Sequence, residues 1–106
     1  MLHRDYRLPL GQKKLPLYSY STPHFIVKVF ASDLPTPRFG FVVSKKIAVE
    51  AVKRNMIKRR LRSVIEALLP QIKGGYDIMF IVQRGGAEAT YPEFEAGVSA
   101  FLNKKA

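Results

Sequence analysis

The chemistry open to this chain is concentrated between Lys45 and Arg62. There eight basic side chains (Lys45, Lys46, Lys53, Arg54, Lys58, Arg59, Arg60 and Arg62) meet one acid, Glu50. Eight against one leaves +7 of the chain's formal +10 in this segment. No Gly or Pro interrupts residues 49–69, and Ile57, Leu61, Val64 and Leu68 recur at the spacing of an amphipathic helix. On that helix Arg54, Lys58 and Arg62 stack along one flank, while Asn55, Arg59 and Arg62 line the side opposite the apolar stripe. Like charges one turn apart repel, so the arrangement calls for an external anion. Phosphate suits it: the arginine fork matches phosphate oxygens, lysine adds a point charge, and each neutralised phosphate releases counterions. A merely solvated basic face is the alternative, and the density of charge argues against it.

Other candidates for chemistry fail on spacing. The eight carboxylates (Asp5, Asp33, Glu50, Glu66, Asp77, Glu88, Glu93 and Glu95) are scattered, with no pair suited to general acid and base work. His3 and His24 do not make a metal motif and read as surface histidines. Ser44 beside Lys45 has no base or oxyanion site to activate it, and Gly85-Gly86 reads as a turn, because the Walker and dinucleotide patterns are missing. Without cysteine there is no disulfide, thiolate metal site or thiol nucleophile. The expectation is a binding protein with no catalytic residue and no metal ligand of its own.

The elements that must position the basic helix follow from the rest of the chain. With 106 residues, 47% of them hydrophobic, residues 1–106 are expected to make one domain. Residues 1–23 carry Pro9, Gly11, Pro16 and Pro23, with Lys13, Lys14 and exposed Tyr18 and Tyr20, and read as irregular. Phe25 to Phe30 and Arg38 to Ser44 read as strands, and the short Asp33–Pro37 link predicts that they pair as an antiparallel hairpin. Gly40 marks a bulge or a close approach. Tyr76 to Val82, a nearly unbroken apolar run, predicts a central strand buried on both faces, with Asp77 in a turn or pairing role. Thr90 and Glu93 make a capping box for a last helix that turns Phe94, Val98, Phe101 and Leu102 inward. The fold class is α+β, with a small, mostly antiparallel sheet packed against the basic central helix and a C-terminal helix.

The run from Phe39 to Arg62, FGFVVSKKIAVEAVKRNMIKRRLR, resembles the signature of the bacterial ribonuclease P protein component: a strand ending in Ser-Lys-Lys, then a helix bearing Arg-Asn, Ile-Lys-Arg and a further Arg. The likeness continues through Asp77–Val82, Arg84 and Thr90–Glu93, and so covers roughly residues 24–103. It implies a fold like ribosomal protein S5 domain 2, with a left-handed βαβ crossover. It also implies a protein subunit of an endoribonuclease that removes the 5′ leader of precursor tRNA. In that family the chemistry belongs to the RNA subunit, and Mg2+ is held by that RNA and the substrate. The RNA-binding positions carried over are Arg54, Asn55, Lys58, Arg59 and Arg62, with Lys45 and Lys46 on the approach and Lys53 beside them; Arg60 lies outside the pattern.

The resemblance departs at the N-terminus. Arg7-Leu8-Pro9-Leu10 is similar to the family's opening, but the segment is shortened and lacks the phenylalanine pair of the family's first helix. Lys28 stands where some members place an aromatic. Phe25, Lys28, Tyr18 and Tyr20 are then the leader-binding candidates, by stacking and charge, against the reading that Phe25 is core and the tyrosines are ordinary surface. The expected partners are the ribonuclease P RNA and precursor tRNA, with no membrane and no small-molecule substrate, in the cytoplasm. A ribosome-associated or general structured-RNA-binding protein is the alternative.

Overall fold

The computed structural model describes Tyr6 and residues 15–105. The readings placed on His3, Asp5, Arg7–Leu10, Lys13 and Lys14 lie outside the described residues. The elements run β1 (Tyr18–Ser21), β2 (Phe25–Ala31), β3 (Arg38–Val42), α1 (Ala51–Leu68), β4 (Tyr76–Val82) and α2 (Tyr91–Lys105). One four-stranded sheet has the order β1-β2-β4-β3, with β1–β2 and β2–β4 antiparallel and β3–β4 parallel. The mostly antiparallel α+β architecture is as the sequence predicts.

Two local expectations are corrected. Residues 18–21 are not irregular but form the edge strand β1, in register Tyr18↔Val29 to Ser21↔Ile26. The turn that makes this possible is built by Thr22, whose hydroxyl oxygen accepts from the backbone N–H groups of His24 and Phe25 at 3.2 and 3.0 Å. Nor do β2 and β3 form a hairpin: β4 lies between them and pairs with both. The link between them is instead tied to the turn before β4. The Ser32 N–H donates to the Gly75 carbonyl at 3.0 Å and the Gly75 N–H donates to the Leu34 carbonyl at 3.1 Å. Gly75 takes φ 87°, which only glycine adopts without strain, and this turn delivers β4 into the gap. The chain then has to cross over α1 to join β3 to a parallel neighbour.

Because strand side chains alternate, the register divides the sheet into two faces. One carries Phe25, Val27, Val29, Phe39, Phe41, Ile78, Phe80 and Val82, all buried. Ile57, Leu61, Val64 and Ile65 of α1 and Phe94, Val98 and Phe101 of α2 pack on it in one core. Phe80 is its hub, 5.5 Å from the Phe25 ring edge-on and 5.6 Å from Phe41 in a stack. The predicted stripe of α1 holds, except that Leu68 is only half-buried and Ile65 takes a full share. The opposite face carries Ile26, Lys28, Phe30, Val42, Met79 and Ile81, all half-buried. So β4 is central as predicted, but it is not buried on both faces. Gly40 sits opposite Met79 in an unbroken ladder, without a bulge.

Candidate nucleic-acid interface

The basic helix is held by its apolar stripe, and the held face decides what each cation can reach. Asn55 and Arg59 are exposed, Lys58 and Arg62 are half-buried on the flank toward β3, and Lys45 and Lys46 stand exposed in the turn that leaves β3. Arg62 lies over the Phe41 ring, 5.9 Å from its centroid, which orients the guanidinium while leaving its outer edge in solvent. These five cations and the Asn55 amide lie on the outer side of the helix and on the approach to it.

Three other cations have partners within the protein. Lys53 is paired with Glu88, and its neighbour Arg60 donates to the Ala89 carbonyl at 2.8 Å; both therefore strap α1 to the turn before α2. The Lys53 charge holds the Glu88 carboxyl below its ordinary range, first through their hydrogen bond. Lys53 thus has Glu88 as a partner at the protein surface. Arg54 donates to the carbonyls of Ala48 and Val49 at 3.0 and 2.6 Å. It clamps the entry to a helix whose first turn has no acidic side chain and whose Glu50 cap makes no side-chain hydrogen bond. Arg54 therefore holds the Ala48–Val49 backbone as well as adding charge. Val49 and Val52, both 81% exposed, lie in the same region.

The leader-binding candidates do not come together. Phe25 is wholly buried among Phe80 and Phe94 and is core. Lys28 is on the opposite, open face of the same strand, paired in register with Ser19 and Met79. Tyr18 and Tyr20 share the core face with Phe25 but sit at the β1 edge, Tyr20 with its ring 5.8 Å from Phe101. Residues that the sequence reading missed, Ile26, Phe30, Met79 and Ile81, are the ones that share a surface with Lys28. The two-residue alternation along β2 was the signal that separates Phe25 from Lys28.

Two further predictions are met near the helices. Asp77 is buried and paired, taking both Arg38 donors at 2.9 and 2.7 Å. The Thr90 N–H donates to Glu93 Oε1 at 2.9 Å and the Glu93 N–H to the Thr90 hydroxyl at 3.4 Å, the expected capping box. Gly85 and Gly86 form a short 3-10 turn pressed on the backbone of Pro23 and His24, where a side chain would collide, so they serve packing. His24 is half-buried beside Glu93, 3.6 Å away. Among the described residues no cluster of His, Asp or Glu could hold a metal ion, and no helix is long and apolar enough to cross a membrane.

Fold and surface together define a small basic α+β protein with one cationic helix face. Residues 17–106 match the family model described as Ribonuclease P, and the chain belongs to that family. It is 44% identical over 73 residues to the ribonuclease P protein component of Microcystis aeruginosa, covering 68% of this chain and 61% of that protein. The corresponding protein of Chloroflexus aurantiacus is 31% identical over 87 residues, covering 81% and 64%. The chain thus spans less than two thirds of the length of these curated relatives. The RNase P protein of Staphylococcus aureus superposes with a TM-score of 0.73 at 26% identity, over 83% of this chain and 80% of that one. The Thermotoga maritima protein gives 0.74 at 22% identity over 82% of each chain, a likeness of fold.

Proposed function

We propose that this chain is the protein subunit of ribonuclease P, a cytoplasmic endoribonuclease that removes the 5′ leader of precursor tRNA. Lys45, Lys46, Asn55, Lys58, Arg59 and Arg62 bind the catalytic RNA subunit. The precursor's leader runs along the open sheet face at Lys28, where Ile26 and Phe30 give apolar surface to bases and lysine meets phosphate. The chemistry is done by Mg2+ held between the RNA subunit and its substrate, and the protein supplies affinity and position. The observation that carries the reading is the exposed Asn55 and Arg59 pair on α1, with the opposite stripe of the helix fixed in the core. The family membership of residues 17–106 supports it.

The test is cleavage of precursor tRNA by the cognate RNA subunit at low magnesium, with and without the protein. Marked stimulation is expected. Equal affinity for unrelated folded RNAs together with no stimulation would point to a general RNA-binding protein instead.

A further inference from the structure

On the core side of the β1 edge, Tyr18, Ser19, Tyr20, Tyr76, Phe101 and Lys104 line a half-open cavity of about 540 Å3. That volume is within the ~300–1,000 Å3 of sites that take small organic groups. In its walls three phenols and a phenyl ring offer flat faces, a lysine is among the lining residues, and no lining residue is acidic. Aromatic faces stack on any base, and a lysine beside them meets the attached phosphate. Tyr18, 38% exposed, is the most open of the rings. Burial and the neighbouring Tyr76 push its phenol above the ordinary value, so it remains a neutral hydrogen-bond donor.

The cavity's place in the sheet selects its occupant. It lies at β1, the edge opposite β3, so the cationic face of α1 beside β3 is separated from it by three strand spacings, roughly 14 Å. Lys28, by contrast, is one strand away. Its partner in register is Ser19, on the same open face, and Tyr18 and Tyr20 flank Ser19 while pointing to the other side. A strand of RNA that crosses Lys28 toward β1 meets Ser19 at the edge and, on turning over it, enters the ring of tyrosines. We propose that this cavity holds a nucleotide in the distal part of the precursor's 5′ leader, its base stacked among Tyr18, Tyr20 and Tyr76 and its phosphate on Lys104. This inference rests on the ribonuclease P reading and adds a second leader contact, on the opposite side of the sheet from Lys28.

The experiment measures affinity of the holoenzyme for precursors with a short leader and with a long one, using the wild-type protein and the Tyr18→Ala, Lys104→Glu and Arg59→Ala variants. Binding of each variant to the RNA subunit alone is read in parallel. Longer leaders should bind more tightly to the wild type. Tyr18→Ala and Lys104→Glu should reduce that gain at least about 5-fold, the loss expected for one stacked base. Short-leader affinity and RNA-subunit binding should stay at wild-type values in both. Arg59→Ala should weaken RNA-subunit binding and keep the leader-length gain. A gain untouched by both cavity variants overturns the proposal, as does a wild type with no gain, or an equal loss for short leaders. Failure of the parent reading shows separately, as wild-type protein that neither binds the RNA subunit nor stimulates cleavage.

Discussion

Arg38 and Asp77 face each other across the parallel β3–β4 pair and are joined by two hydrogen bonds, with the Asp77 side chain 1% exposed. The pair ties the first residue of β3 to a strand reached only after the whole of α1, so it pins the crossover at its open end. Asp77 also holds the Arg38 guanidinium above its ordinary value, chiefly through their hydrogen bonds, so the cation is fully charged at any physiological pH. Arg38→Ala leaves a buried carboxylate without its partner. It should cost about 3 kcal/mol or more, read from denaturant unfolding, whereas replacing both residues by apolar ones of similar size should cost far less. A single and a double variant of equal stability would sink this account.

The cations of α1 should separate into two groups by their effect on RNA binding. Arg59→Ala and Arg62→Ala should each weaken binding and lower the slope of log K against log salt by roughly 0.7 to 0.9 for every phosphate the arginine neutralises. Lys53→Ala, which removes a partner of Glu88, should leave the slope nearly unchanged. Titrations at several salt concentrations decide it; equal slopes for the Lys53 and Arg59 variants would contradict the division.

Leu61 lies on the core side of the same helix and is fully buried. Leu61→Ala should lower stability by about 2 to 5 kcal/mol. The salt slope of the protein that remains folded should not change, because the cations on the outer face are intact. A changed slope with unchanged stability would reverse the assignment of faces.

The start of α2 should be sensitive to acid. The Glu93 carboxyl is held below its ordinary value by the Thr90 backbone N–H first, by the Thr90 hydroxyl next, and with a contribution from His24. A carboxyl whose folded value is depressed contributes all its stability above the unfolded value, about 4.3, and loses it as pH falls through the lower folded value. Amide protection in the first turn of α2, measured relative to the intrinsic exchange rate at each pH, should therefore fall below about pH 4. Thr90→Ala, costing about 1 kcal/mol, should flatten that acid dependence. The same acid response in the variant would remove the capping box from the explanation.

What could be read before folding and what could not divide along the range of the interactions. The stripe Ile57, Leu61 and Val64 and the Thr90–Glu93 box are made by residues within a few positions of one another, so spacing alone reveals them. The partner of β3 is decided by hydrogen bonds between the Ser32–Leu34 link and Gly75, some forty residues apart in sequence. Residues 32–37 look like any hairpin connection until that tie is known. The cations follow the same rule. A helical wheel already sets Lys53 beside the apolar stripe and Arg59 opposite it, but the partner that Lys53 takes, Glu88, is brought in by a distant turn and has no signal in the helix. Phe25 and Lys28 are the exception, since strand alternation places them on opposite faces without any tertiary knowledge.

The position of β4 has a consequence for how the molecule comes into being. Until residues 76–82 are in place, β3 has no neighbour, and the only sheet that can exist is the β1–β2 ribbon, too small to stand by itself. Ring closure over the long β3–α1–β4 segment must precede any reward from its contacts, which slows the search for the native state. The cationic helix and the floor beneath it are therefore acquired together. A chain interrupted before Val82 would carry the cationic segment but no platform on which to display it.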